Sequence, residues 1–377
     1  MGIQLGGIDL YVGPKVLGAE DDLDAVIRDF IDGAKKSLHI AVQELDSPTV
    51  AQAILDAAAR PKDPPVTRDR FLDMQVILEG DYLTEETAAA NPLVPGGANE
   101  VNRELHAALL RARVDVITDL NQKIFHQKFV VRDAGTDNAA VLTGSTNFTL
   151  TDTGTNPPSN RKQRGNNLNN VLILHGKTVA ALYLAEFLRM RAGTFGDMHE
   201  RVEPKPREFR IGTVRVKPLF APRHGPEMEI MKQMLKAKQR IDFAMFTFSQ
   251  SSGIDDTMNR LVGPGLPIRG VVDREQGGMA WAATSGLEAA GVQLFENTKD
   301  NGVRKVHHKL MTIDDEIIIA GSLNYTDPAN TLNDENIVVI GDLEEKDPAA
   351  RADQRKLAEF ARVEIDRIIT DLGRAIT

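Results

Sequence analysis

The 377-residue chain has no cysteine. That excludes disulfides and thiolate-held metals, and it favours a cytoplasmic address. Long apolar runs are also missing, so no segment is expected to cross a bilayer. The stretch Met1 to Gly7 has no basic segment or apolar run, so no signal peptide is expected. Aromatic residues are only 5%, and Trp281 is the one tryptophan. An aromatic belt for a membrane interface is therefore not expected. Positive charge is in short supply, with a net charge of -9. A surface that is basic all over is excluded, but a local basic cleft is not.

What is present is a repeat. His126, Lys128 and Asp133 are followed by Gly144-Ser145-Thr146-Asn147. His307, Lys309 and Asp314 are followed by Gly321-Ser322-Leu323-Asn324. Both copies read H-x-K-x-x-x-x-D, then G-S-x-N. Residues two apart on a strand share a face, so each histidine and lysine point the same way. Two copies with matching tails in one chain are a specific signal, where a single H-x-K is not.

The repeat extends beyond the motif. Leu38 and Ala41 align with Ile241 and Ala244 at an offset of 203, and His126 aligns with His307 at 181. The first half therefore carries 22 more residues between its first repeat strand and its motif. They fall in two stretches of loop composition, Pro61 to Arg70 and Glu85 to Asn99. Strands alternate with helices in both halves. This predicts an α/β fold of two pseudo-symmetric half-repeats, each a mixed, mostly parallel sheet flanked by helices. The expected boundaries are residues 1–193 for the first half, 194–210 for a linker and 211–377 for the second half. Two partial sites suggest a pseudo-two-fold arrangement with the motif strands facing each other.

These residues resemble the phospholipase D superfamily, whose signature is H-x-K-x-x-x-x-D followed by G-S-x-N. The resemblance covers nearly the whole chain. The superfamily pattern adds an acidic residue after the second G-S-x-N, and Glu335 stands there. The first-half counterpart is Asn169. That asymmetry looks like the tyrosyl-DNA phosphodiesterase branch, with an amide partner for the first histidine and a glutamate for the second.

The resemblance implies a phosphodiesterase that works through a phosphohistidine, with no metal and no cofactor. One histidine attacks phosphorus and the other serves the leaving group as acid and then the water as base. Lys128, Lys309, Asn147 and Asn324 would stabilise the phosphoryl oxygens, and Ser145 and Ser322 would bind substrate. A carboxylate favours the charged form of a neighbouring imidazole. On that basis Glu335 is expected to make His307 the acid, leaving His126 neutral and nucleophilic beside Asn169. Asp133 and Asp314 complete the expected catalytic set. Arg161, Lys162 and Arg164 are expected to touch a phosphate backbone at the mouth of the site. His308, on the other strand face, is expected to be buried or solvated without a catalytic role. The same holds for His39, His106, His175, His199 and His224. Nucleic acid is the favoured substrate because no membrane-docking device is visible. Phospholipid head groups are the alternative, and an inactive binding protein on the same scaffold is the third reading. Oligomeric state is not readable.

Overall fold

The computed structural model describes residues 1–66, 70–160, 164–198, 206–298 and 301–376. Two sheets make up its frame. The first is built from β1 (Ile3–Leu5), β2 (Ile8–Gly13), β3 (Ser37–Val42), β4 (Asp73–Leu78), β5 (Asp115–Thr118), β6 (Lys128–Arg132), β7 (Ala140–Gly144) and β8 (Asn166–His175). The second uses β9 (Phe209–Ile211), β10 (Val214–Ala221), β11 (Ile241–Met245), β12 (Ile268–Val272), β13 (Gln293–Asn297), β15 (Lys309–Ile313), β16 (Ile317–Gly321), β17 (Glu335–Ile340) and β18 (Gly373–Ala375). Between them in sequence lies β14 (Val303–Val306), which joins the first sheet although it belongs to the second half.

The strand orders are β1-β2-β8-β7-β6-β3-β4-β5 and β18-β13-β12-β11-β15-β16-β17-β10-β9, with β14 on β8. The repeat is visible here: β8-β7-β6-β3-β4-β5 matches β17-β16-β15-β11-β12-β13. Each sheet is mixed, as expected, but not mostly parallel. Parallel pairing within each half is confined to β3-β4-β5 and β11-β12-β13. The motif strands return as hairpins, β6 on β7 and β15 on β16, and these pair antiparallel. A hairpin needs only a short turn, whereas a parallel partner needs a crossover helix.

Both faces of each sheet are covered. The run Ile317-Ile318-Ile319 is buried throughout, the pattern of a strand with no wet face. On the outer faces, Leu23, Ile27 and Ile31 pack over the first sheet, and Ile230, Met234 and Met258 over the second. The inner faces share one core. It joins Leu172 and Phe129 with Phe220, Leu310 and Val338, and takes in the helices Lys177–Arg191 and Pro348–Arg367 through Tyr183, Phe187, Leu357 and Ile365. The segment 194–210 includes 199–205, which lie outside the described residues, and its last residues already form β9. No helix among the described residues is long and apolar enough to cross a membrane.

Candidate active site

Each motif enters the site by pairing with the opposite half. The His126 amide donates to the Asp334 carbonyl at 3.0 Å, and the His307 amide to the Leu168 carbonyl at 3.0 Å. Behind them, Asn336 donates to Gln127 and Asn170 to His308 across the same seam. His126 and His307 thereby line one cavity of about 590 Å³.

The partners of the histidines are crossed relative to the expectation. His126 Nδ1 donates to Glu335 Oε2 at 2.7 Å, and His307 Nδ1 to Asn169 Oδ1 at 2.9 Å. Glu335 thus serves the histidine of the other half, not its own. The reason is topological: β17 and β8 run along the seam, so residues just inside them face across it. The carboxylate only accepts, so the His126 tautomer with Nδ1–H is required. Asn169 is oriented by its own network. Its Nδ2 donates to Asp152 Oδ1 at 2.8 Å, and its Oδ1 accepts from Ser145 Oγ at 2.8 Å. That turns the amide oxygen to His307. In both rings Nε2 is the nitrogen left for a substrate.

The serines support these partners and do not reach the cavity. Ser145 and Ser322 are fully buried. Ser322 Oγ donates to Glu335 Oε2 at 2.6 Å and accepts from the Asn336 amide. The expected substrate-binding role for Ser145 and Ser322 is therefore corrected to holding the histidine partners.

The two aspartates are corrected likewise. Asp133 accepts from the backbone amides of Lys35, Lys36 and Ser37, and Asp314 from those of Lys238, Gln239 and Arg240. Each sits in the left-handed region, at φ 51° and 55°, in the turn at the far end of its motif strand. Five residues of strand separate it from its lysine, roughly 17 Å. Asp133 and Asp314 fix a helix-to-strand turn and do not touch substrate.

The lysines do belong to the site. Lys128 Nζ donates to the His126 carbonyl at 3.0 Å and to Gln43 Oε1 at 3.1 Å; Lys309 Nζ donates to the His307 carbonyl at 2.9 Å. Lys309 also lies over the Phe246 ring at 5.1 Å. Asn147 and Asn324 line the cavity. Arg164 is exposed and outside the cavity lining. Arg161 and Lys162 lie outside the described residues.

Burial dominates the titration of these groups. It holds both histidines well below their usual pKa, aided at His126 by Lys128 and Lys309 and at His307 by Lys309, Lys305 and Lys128. Lys128 is lowered to about 8 by burial, against the pull of Glu335, Glu44 and Asp152. Lys309 is lowered well below its usual value by burial and then by Lys128. Glu335 is raised to about 8 by burial, opposed by Lys128. Two ammonium groups forced this close without a counter-ion favour an anion between them.

Several residues escaped the sequence reading. Asp152 lies 3.3 Å from His307 Nδ1. Its signal was a cap: Thr149 caps the turn Leu150–Thr153 and donates to Asp152 Oδ2, a pattern that reads as structure only. Glu44, Tyr82, Phe246, Arg304 and Lys305 also line the cavity. His308 is fully buried, accepting from Asn170 at 3.0 Å with Glu364 at 3.5 Å on its other nitrogen, so it is a buried structural histidine.

A duplicated mixed sheet with two histidines and two lysines meeting at the seam defines a phospholipase D-like protein. The family described as "Cardiolipin synthase, PLD-like domain" matches residues 27–191 and 230–355, and the chain belongs to it, within the phospholipase D superfamily. Among curated relatives, human mitochondrial cardiolipin hydrolase is 30% identical over 107 residues, covering 28% of this chain and 41% of the relative. The chain spans less than half the length of the curated relatives it matches. Among solved structures, phosphatidylserine synthase from Haemophilus influenzae has a TM-score of 0.65 at 13% identity, covering all of this chain and 89% of that one. Polyphosphate kinase from Porphyromonas gingivalis has a TM-score of 0.55 at 12% identity, covering 93% of this chain and 50% of that one. These structures share the fold.

Proposed function

We propose that the chain is a phosphodiesterase acting through a phosphohistidine on His126, with phospholipid head-group esters as substrate. The observation that supports it most is the crossed pair of histidines lining one cavity with a buried lysine beside each. His126 Nε2 attacks phosphorus as the P–O bond to the leaving alcohol breaks, and His307 Nε2–H gives that oxygen its proton. Water then attacks phosphorus, losing its proton to His307 while the P–N bond breaks, which restores both rings. An alcohol in place of water gives transfer by the same step.

His126 is kept as the nucleophile, but for a different reason. Attack through Nε2 puts positive charge on the ring, and Glu335 on Nδ1 stabilises it. Asp152, 3.3 Å from His307, supports the proton-bearing form of the acid. Lys128, Lys309, Asn147 and Asn324 would hold the phosphoryl oxygens. Glu335, Asn169, Ser145 and Ser322 are positioning residues.

The charge of the cavity and the names of the relatives put phospholipid ahead of nucleic acid. Glu44, Asp46 and Asp152 lie in the lining, and a continuous polyanion is repelled there. The matched family and the curated relatives carry cardiolipin in their names. Lys123, Arg304 and Lys305 at the cavity favour the second reading, a nuclease. Purified protein is to be assayed in EDTA on phospholipid vesicles, plasmid, single-stranded DNA and RNA. Turnover of lipid alone is expected. Nucleic acid cleaved with lipid untouched would reverse the order.

A further inference from the structure

The cavity is asymmetric in a way the repeat does not require. On the first-half wall stand Gln43, Glu44, Asp46, Tyr82 and Asp152; on the second-half wall, Phe246, Thr247, Arg304 and Lys305. At the repeat offset of 203, Thr247 takes the place of Glu44. Asp152 has no acidic counterpart either, because Ala329 aligns with it from Ser145 and Ser322. One wall has gained two carboxylates.

Those carboxylates are incompletely satisfied. Tyr82 donates to Glu44 Oε1 at 2.7 Å; among the described residues nothing donates to Oε2. Burial raises the Glu44 pKa, and the Asp152 charge raises it further, against Lys128 and Lys305. Asn167 supplies a separate sign. It lines the same cavity with only 3% of its surface exposed. Its Nδ2 is committed to Asp152 Oδ1 at 2.8 Å, and its Oδ1 has no partner. A buried acceptor left without a donor carries a penalty of about 1–3 kcal/mol, which a ligand donor removes. The histidines and lysines provide donors for the phosphate. This wall provides acceptors, so its natural occupant is the donor-bearing flank of the diester.

We propose that Glu44, Asp152 and Asn167 form a subsite for the alcohol moiety of the substrate and select head groups that carry N–H or O–H donors. The subsite rests on the phospholipid reading given above. A primary ammonium and a hydroxylated head group share this chemistry; a quaternary ammonium has the charge without the donors. Discrimination follows because a site built to accept hydrogen bonds is left unpaired by an analogue that cannot donate.

The test compares phosphatidylethanolamine, phosphatidylglycerol and phosphatidylcholine in identical mixed micelles, in EDTA. The expected result is a kcat/KM for the first two at least tenfold above that for phosphatidylcholine. Phosphatidylethanolamine ahead of phosphatidylglycerol assigns the ammonium as the preferred donor, and the reverse order the hydroxyl. In Glu44→Gln the preference over phosphatidylcholine should fall by about tenfold, because the carboxylate is replaced by a group with one acceptor and one donor end. A second measurement needs no variant: ethanolamine or glycerol should inhibit hydrolysis of bis(p-nitrophenyl) phosphate by the wild-type protein more strongly than choline does. Equal turnover of all three lipids, or a preference that Glu44→Gln leaves intact, overturns the subsite while the lipid reading stands. Hydrolysis of bis(p-nitrophenyl) phosphate or DNA with no lipid turned over overturns the lipid reading and the subsite with it.

Discussion

Lys128 carries the clearest pH signature at the residue scale. Its ammonium is needed to draw in a phosphodiester, and burial brings its pKa down to about 8. Below that value the charge is present, and as pH rises through it the charge is lost. The profile of kcat/KM should therefore decline above pH 8, about tenfold per unit once the lysine is neutral. A profile flat to pH 9.5 contradicts this role. The histidines and lysines were legible in the sequence because a two-residue spacing on a strand fixes a shared face. Their partners were not. Glu335 and Asn169 each sit in one half and serve the other, and linear order carries no sign of which side of a seam a strand end faces. Asp152 was hidden for another reason, since a threonine with an acid three residues on is an ordinary helix start.

Strands and turns explain the part of the motif that does not touch substrate. Asp133 and Asp314 tie the start of β3 and β11 to the end of the motif strand, each through three backbone amides. Asp314→Ala leaves three amides without their acceptor, and hydrogen bonds to a charged group are among the stronger ones. A loss of about 3 kcal/mol or more in urea unfolding is expected, with turnover per folded molecule kept. Unchanged stability with activity abolished would return Asp314 to the chemistry. Strand position was readable from alternation, but strand direction was not. Through β5 and β13 the chain does follow a strand–helix–strand rhythm with parallel pairing. After that the motif strands form hairpins, and their short turns, 133–139 and 314–316, look like any loop.

For the whole molecule, the seam decides both stability and site. One core spans the inner faces of the two sheets, and β14 of the second half pairs with β8 of the first. Such a chain should unfold in one calorimetric transition, with calorimetric and van't Hoff enthalpies equal. Two separate transitions would show halves that hold together weakly and a site that is not shared. The duplication was legible from its offsets, because insertions moved the register without erasing it. The single shared core was not, since both faces of each sheet read as equally apolar.

The central claim is that His126 forms the covalent bond while His307 handles the proton. It is tested with bis(p-nitrophenyl) phosphate, whose phenolate leaves without a proton. In His307→Ala the first step should proceed and the second should stall, because the base that activates water is missing. Rapid acid-free quenching and peptide mass spectrometry should then find a p-nitrophenyl phosphoryl group on His126. No adduct on His126, with one on His307 in the His126→Ala protein, would contradict the account.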